Sequence, residues 1–69
     1  MFIKLWRAIV RILRIKDVSE MTGLSPSSIY KQMRLGLFPK NVKLTDRASG
    51  WDEAAIQIWI EEKLKGNVA

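Results

Sequence analysis

Hydroxyl and basic side chains recur at helical spacing in the middle of the chain. If residues 25–35 form a helix with Ile29 toward the core, then Ser27, Lys31 and Arg34 lie on the opposite side. Hydroxyl groups can donate to or accept from base edges and phosphates, Arg can bridge the two acceptors of guanine, and Lys can reach guanine or a phosphate. Such a surface suits binding in the major groove of DNA, although a solvated face on a core helix would have the same pattern.

More basic and hydroxyl groups surround this segment. Ser28 lies to one side of the same helix, and Tyr30 is expected mainly to pack in the core, with its hydroxyl directed at a phosphate. Basic residues precede the segment and follow it, where a cationic hairpin would run along a phosphate backbone or enter the minor groove. The candidate DNA contacts are therefore Arg14, Lys16, Ser27, Ser28, Tyr30, Lys31, Arg34, Lys40, Lys43 and Arg47.

The charges separate a basic body from an acidic end. The 69 residues carry a net charge of +5; residues 1–47 hold ten Lys and Arg against three acidic residues, and residues 48–69 hold two against four. A basic surface of this kind suits a polyanion such as nucleic acid, with an anionic membrane as the alternative. Because the chain has no His and no Cys, we expect neither an enzyme nor a metal or cofactor site.

Two short helices joined by a tight turn are predicted around the candidate contacts. The first covers residues 16–22, and Gly23 can end it in the left-handed conformation because it has no Cβ to clash. Ser25 is a typical N-cap, Pro26 suits the first position of the second helix, and Gly36 ends that helix. A helix, a turn of about three residues and a second helix have the spacing of a helix-turn-helix motif.

The pattern then changes to that of a small β-hairpin. Pro39 keeps the residue before it extended, and Val42 and Leu44 alternate with Lys43 as in a half-buried strand. We therefore expect a hairpin, or wing, over residues 41–51.

An amphipathic helix is expected to close the domain. Asp52 caps its start, and Gly66 ends it. Trp51 and Trp59 are expected to be core residues rather than aromatics that stack on bases. The apolar stripe of the helix consists of Ala55, Ile56, Trp59, Ile60 and Leu64.

Residues 1–10 form a separate amphipathic arm or short helix in this interpretation. Lys4 and Arg7 fall mainly on one side of it, and the other side is apolar. The arm is either a lid on the core, or a contact between copies or with a membrane surface; a strand over residues 10–15 is an alternative for its end. The apolar residues at helical spacing are Phe2, Leu5, Trp6, Ile9 and Leu13.

The expected fold is therefore mainly α with a small β-hairpin, a winged helix-turn-helix. Its organisation is an N-terminal arm at residues 1–10, the DNA-binding domain at residues 11–66 and a frayed tail at residues 67–69.

Three pieces of sequence form a more specific pattern. They are TGLSPSSIY at residues 22–30, GLFPK at residues 36–40, and Arg47 followed by Trp51. Through them, residues 11–64 resemble the AlpA family of prophage-encoded regulators, which are similar to excisionases and to MerR-type winged helices. The resemblance implies a winged-helix DNA-binding domain with its recognition helix at residues 25–35. It places Ser27, Ser28, Tyr30 and Lys31 in the DNA-facing motif, and Lys43 and Arg47 in the wing.

The chain departs from the family pattern in three places. Pro26 stands where the family often has Arg, which removes one expected DNA contact, and Asn41 stands where a proline is usual. Thr45 and Asp46 replace a glycine-containing turn, and Asp46 puts a negative charge at the tip of the wing. These differences affect how tightly the wing binds and which site is read.

The predicted function is a sequence-specific regulator of transcription in a prophage or mobile element that binds double-stranded DNA in the cytoplasm, at the nucleoid. Residues 25–35 would enter the major groove and the wing at residues 41–51 would lie on the backbone. One alternative is an excisionase-type architectural factor that bends DNA for a recombinase. A second is a small protein-interaction module without DNA binding, and a third is membrane attachment through residues 1–14.

A single domain of this size gives a limited interface with DNA. We therefore expect a homodimer or a cooperative homo-oligomer on DNA, with residues 1–10 as the candidate contact. No small-molecule substrate is expected, and a membrane partner is disfavoured.

Overall fold

The computed structural model describes residues 11–66, so the predicted arm at residues 1–10 and tail at residues 67–69 lie outside the described residues. The elements, in chain order, are β1 (Ile12–Leu13), α1 (Ile15–Thr22), α2 (Pro26–Arg34), β2 (Val42–Thr45), β3 (Ala48–Asp52) and α3 (Glu53–Gly66). Within residues 11–66, three helices and a small antiparallel sheet confirm the expected fold class, a winged helix-turn-helix.

Local hydrogen bonds hold the turn between α1 and α2. Gly23 has a φ of 77° and donates its amide to the Ser19 carbonyl at 2.9 Å. The Ser19 hydroxyl donates to the Leu24 carbonyl at 2.6 Å, and the Leu24 amide donates to Thr22 Oγ1 at 3.2 Å. These bonds satisfy backbone groups that the end of a helix otherwise leaves free, so the residues of the turn themselves define the chain path between the helices.

The limits of α2 are those that its sequence predicts. Ser25 has an extended backbone and its Oγ accepts from the Ser28 amide at 3.2 Å, while Pro26 occupies the first helical position. At the other end Leu35 is the C-cap, and Gly36 takes a φ of 75°. The seven residues predicted for the first helix are also helical, and that helix begins one residue earlier, at Ile15.

The predicted wing is present, and a third short strand joins it. β2 and β3 pair antiparallel, with Lys43 opposite Ser49. β1 pairs antiparallel with the other side of β3, with Leu13 opposite Trp51, and the strand order is β1-β3-β2. The alternative of a strand near residues 10–15 is therefore confirmed for Ile12–Leu13.

The core lies where α1, α2, α3 and one face of the sheet meet. Two indole N–H groups attach the loop after α2 to it: Trp51 Nε1 donates to the Pro39 carbonyl and Trp59 Nε1 to the Leu37 carbonyl, both at 2.9 Å. Both tryptophans are thus structural, as predicted. The buried residues are Leu13, Val18, Ile29, Phe38, Trp51 and Ile56.

Two predictions about apolar residues are wrong. Leu64 is exposed, because the last turns of α3 extend beyond the core and residues 61–66 are all exposed. Val42 and Leu44 are exposed as well, so β2 is not half-buried by any element in residues 11–66. The alternation with Lys43 does separate two faces of the wing, but the apolar side chains lie on the face away from the core.

Candidate nucleic-acid interface

A concave surface lies where the start of α1, the side of α2 and the wing come together. We call it the basic groove. Four of the candidate contacts meet there from separate parts of the chain, and Trp51, which is buried, forms part of its wall. The groove is lined by Arg14, Ile15, Lys16, Tyr30, Asn41, Arg47, Ser49 and Trp51.

The start of α1 positions the first two cations. Arg14 is the N-cap residue in an extended conformation, and its amide donates to Asp17 Oδ2 at 3.1 Å. That bond satisfies the Arg14 amide, one of the N–H groups that lack a partner at a helix start, and it uses one oxygen of the Asp17 carboxylate. Arg14 and Lys16 therefore stand exposed at the edge of the groove.

Tyr30 differs from its prediction, which placed it mainly in the core. Its side chain is 42% exposed, and its ring lies 6.4 Å from that of Trp51 at an angle of 47°. The reason is that Trp51 fills the space beneath it, while Ile29, the neighbouring residue on α2, takes the buried position. Tyr30 thus lies in the groove itself, with one side of its ring on Trp51.

The exposed side of α2 continues from the groove. Ser27, Lys31 and Arg34 are exposed and Ile29 is buried, which confirms the predicted orientation of the helix. Ser28 is half-buried; its amide donates to Ser25 Oγ at 3.2 Å and the Ser25 hydroxyl donates to Ser28 Oγ at 3.0 Å. Ser28 is therefore engaged in the helix cap, which the sequence did not predict.

The wing presents its polar face to the groove. Lys43 is paired with Ser49, so the two side chains lie on the same face as the groove. Arg47 lies in the turn of the hairpin, where its amide donates to Thr45 Oγ1 at 3.2 Å. Lys40 is exposed on the loop that Trp51 anchors through Pro39, outside the lining of the groove.

Asn41 and Ser49 line the groove but were not among the predicted contacts. Alternation along β3 offers a signal for Ser49, since it lies two residues before the buried Trp51 and so shares its face. No comparable local signal marks Asn41, which precedes β2 and reaches the groove only through the path of the loop.

None of the residues that line the groove is acidic. Asp46 lies in the turn of the wing next to Arg47, and it is the negative charge predicted at the wing tip. No carboxylate in residues 11–66 forms an ion pair with any of the seven candidate cations. Arg11 pairs with Glu53 at 3.2 Å in a separate depression between α1 and the start of α3. Asp17, Glu20 and Glu53 line that depression. The lining of the groove therefore has cations and no carboxylate, which favours a positive potential for an anion.

A tight turn between two helices, a hairpin beside the second helix and a groove of cations between them define a winged helix-turn-helix protein. The chain belongs to the family described as Prophage CP4-57 regulatory protein (AlpA), whose model matches residues 11–64. The predicted resemblance is confirmed, with the predicted limits.

Two relatives illustrate the range of the similarity. The chain is 37% identical over 65 residues to the DNA-binding transcriptional activator AlpA of Escherichia coli (strain K12), which covers 86% of this chain and 93% of that protein. It is 34% identical over 56 residues to the uncharacterized protein ORF88 of Enterobacteria phage P4, covering 81% of this chain but only 64%, less than two thirds, of that protein. No solved structure matches the chain.

Proposed function

We propose that this protein is a transcriptional regulator of a prophage or related mobile element that binds double-stranded DNA. The observation that carries the proposal is the basic groove, in which Arg14, Lys16 and Arg47 lie beside Tyr30 without an acidic partner in residues 11–66. The name of the Escherichia coli relative, a DNA-binding transcriptional activator, supports it.

In this proposal α2 enters the major groove and the wing lies on the phosphate backbone. Ser27, Lys31 and Arg34 would approach base edges, since they occupy the exposed side of α2. The groove and wing cations would hold phosphates and so set the register of α2 on the duplex. Tyr30 would donate a hydrogen bond from its hydroxyl to a phosphate, between the base contacts of α2 and the phosphate contacts of the groove and wing.

Assembly of two or more copies on neighbouring sites is part of the proposal. A single module of this kind buries only about 600–1,000 Å² against DNA, which limits the affinity of one copy. A contact between copies through residues 1–10 is the alternative to a placement of these residues on their own chain. Analytical ultracentrifugation of the full chain against a chain without residues 1–10 tests that assignment, and monomeric behaviour of both would contradict it.

Removing the cations of α2 should weaken sequence-specific binding while leaving the fold intact. Arg34→Ala should lower affinity for the selected site about 5- to 150-fold, as expected for loss of a bidentate base contact, and Lys31→Ala should act in the same direction. Fluorescence anisotropy measures this, with a duplex obtained by selection from a random pool. Circular dichroism spectra of both variants should match the wild type, because both side chains are exposed.

Lys65→Ala supplies the matched control for these two variants. It removes the same charge from the exposed last turn of α3, far along the chain from α2. If Lys65→Ala weakened binding as much as Lys31→Ala or Arg34→Ala, net charge rather than the face of α2 would account for the binding, and the proposed orientation would be wrong.

Arg47→Ala should behave differently from the α2 variants. Because Arg47 would contact a phosphate, its loss should weaken binding to the selected duplex and to a random duplex by similar factors. It should also reduce the magnitude of the log–log salt slope by about 1. Titrations of both duplexes over a series of salt concentrations measure these two quantities. An unchanged affinity and an unchanged slope would remove the wing from the interface.

A further inference from the structure

The sheet has a second face that points away from both the core and the basic groove. We call it the outer sheet face and define it by Ile12, Val42, Leu44 and Gly50. Register assigns them to one side: Leu13 and Trp51 pair on the inner face, whereas Val42 pairs with Gly50 and Ile12 pairs with Asp52 on the outer. Asp52 lies at the end of β3, where its carboxylate accepts from the Ala54 amide at the start of α3. A Cβ placed on Gly50 would meet the Ile12 side chain and lie 3.5 Å from Leu44 Cδ1, so those two side chains converge over the glycine.

The outer sheet face is apolar and open among the described residues. Ile12, Val42 and Leu44 are 45%, 52% and 43% exposed. An antiparallel sheet with one face in solvent normally carries polar residues there. Here Lys43 and Ser49 lie on the groove face, whereas Val42 and Leu44 lie on the outer face beside Ile12. This apolar part of the outer face is the surface that a further element could cover.

The size of the outer sheet face decides what kind of element fits it. Three side chains about half exposed leave roughly 250 Å² of apolar surface, against the roughly 800 Å² per partner that a stable protein–protein interface buries. A contact between two copies through this face alone would therefore be too small. One short apolar segment, attached to the same chain, would be enough to cover it.

Residues 1–10 meet these requirements. They join the described chain at Arg11, directly beside Ile12 in the edge strand β1. Ten residues span about 15 Å as a helix and about 33 Å when extended, and three strands at about 4.8 Å spacing are about 10 Å wide. Covalent attachment next to the face also gives the segment a high effective concentration there.

We propose that residues 1–10 fold back over the outer sheet face of their own chain. The apolar side of the segment, with Leu5, Trp6 and Ile9, would lie on Val42 and Leu44, and Lys4 and Arg7 would remain in solvent. The segment would then stabilise the wing by packing on the face opposite to Lys43 and Ser49. This inference rests on the sheet and does not depend on the proposed DNA binding.

Nuclear Overhauser effects in the full chain test the placement directly. With Ile, Leu and Val methyl groups labelled, we expect cross-peaks from the Trp6 ring to the methyls of Val42 and Leu44. The ring signals of Trp51 and Trp59 are assigned first, so that they are not mistaken for those of Trp6. In a mixture of labelled and unlabelled chains, isotope-filtered spectra should lack these cross-peaks. Cross-peaks that survive the filter would place the segment on a second copy and overturn the proposal. Cross-peaks from the Trp6 ring to the exposed Leu64 methyls on α3 instead would also overturn it.

A double-mutant cycle in the full chain gives an independent measurement. Leu44→Ser should lower the folding equilibrium constant about tenfold more when Trp6 is present than in the Trp6→Ala background, where only the packing of Leu44 over Gly50 is lost. Lys43→Ser, on the opposite face of the same strand, should have the same small effect in both backgrounds. Additive effects of Trp6→Ala and Leu44→Ser would overturn the proposal.

Discussion

Raising the salt concentration from 50 to 200 mM should lower the affinity of this protein for duplex DNA by a few hundred to a few thousand fold. The seven candidate cations have no acidic partner within residues 11–66. If about five to seven of them neutralise phosphates, the released counterions give a log–log slope of roughly −4 to −6. Anisotropy titrations at several salt concentrations, with the selected duplex and with a random one, measure the slope.

The salt series also separates the proposed function from its main competitor. A small protein-interaction module would bind an acidic protein partner and would show no affinity for random duplex DNA even at low salt. A slope near zero, or no binding of random duplex at 50 mM salt, would therefore contradict the proposed role of the basic groove. The Lys65→Ala control should keep the full slope, since its charge lies on α3 rather than in the groove or wing.

Gly50→Ala should destabilise the fold by about 1–3 kcal/mol, the usual cost of overpacking a filled site. The new Cβ would lie 2.9 Å from the Leu13 carbonyl oxygen, which belongs to the backbone of β1. It would also collide with the Ile12 side chain, so the strand as a whole must shift. In a urea titration the midpoint should fall without a change in slope, because the surface exposed on unfolding stays the same.

Gly66→Ala is the matched control for that measurement. Gly66 is the last residue of α3, and a Cβ there meets nothing within 4 Å. Because alanine is a better helix former than glycine, this variant should be unchanged or more stable by up to about 1 kcal/mol. If Gly50→Ala and Gly66→Ala lost the same stability, the close approach of β1 to Gly50 would not be the cause of the loss in Gly50→Ala.

Local structure was predictable where one or two residues act on their own backbone. The Ser25–Pro26 start of α2, the left-handed Gly23, the end of α2 before Gly36 and the Asp52 cap of α3 all appear as expected. Each depends on atoms within about one helical turn, such as a hydroxyl that accepts from a free amide or a missing Cβ. These local interactions can form however the rest of the chain packs.

The exposure of some candidate DNA contacts was predictable from the sequence, and that of others was not. Exposure of Lys31 and Arg34 followed from the periodicity of α2, since Ile29 alone settles which side is buried. The exposure of Tyr30 did not follow, because it depends on Trp51, which lies 21 residues further along the chain and fills the space below the ring. Asn41 reaches the groove for a similar non-local reason.

Patterns within single segments predicted the three helices, the N-caps of α2 and α3, the hairpin and the cationic face of α2. The pairing of β1 with β3, the need for glycine at position 50 and the outward direction of the apolar residues of β2 became visible in the folded chain. The tertiary structure also decided that Arg14, Lys16 and Arg47 share one groove with Tyr30. The difference lies in the sequence separation of the interacting residues. Caps and turns form between residues a few positions apart, whereas strand pairing and the shared groove depend on how segments 30 to 40 residues apart pack around Trp51.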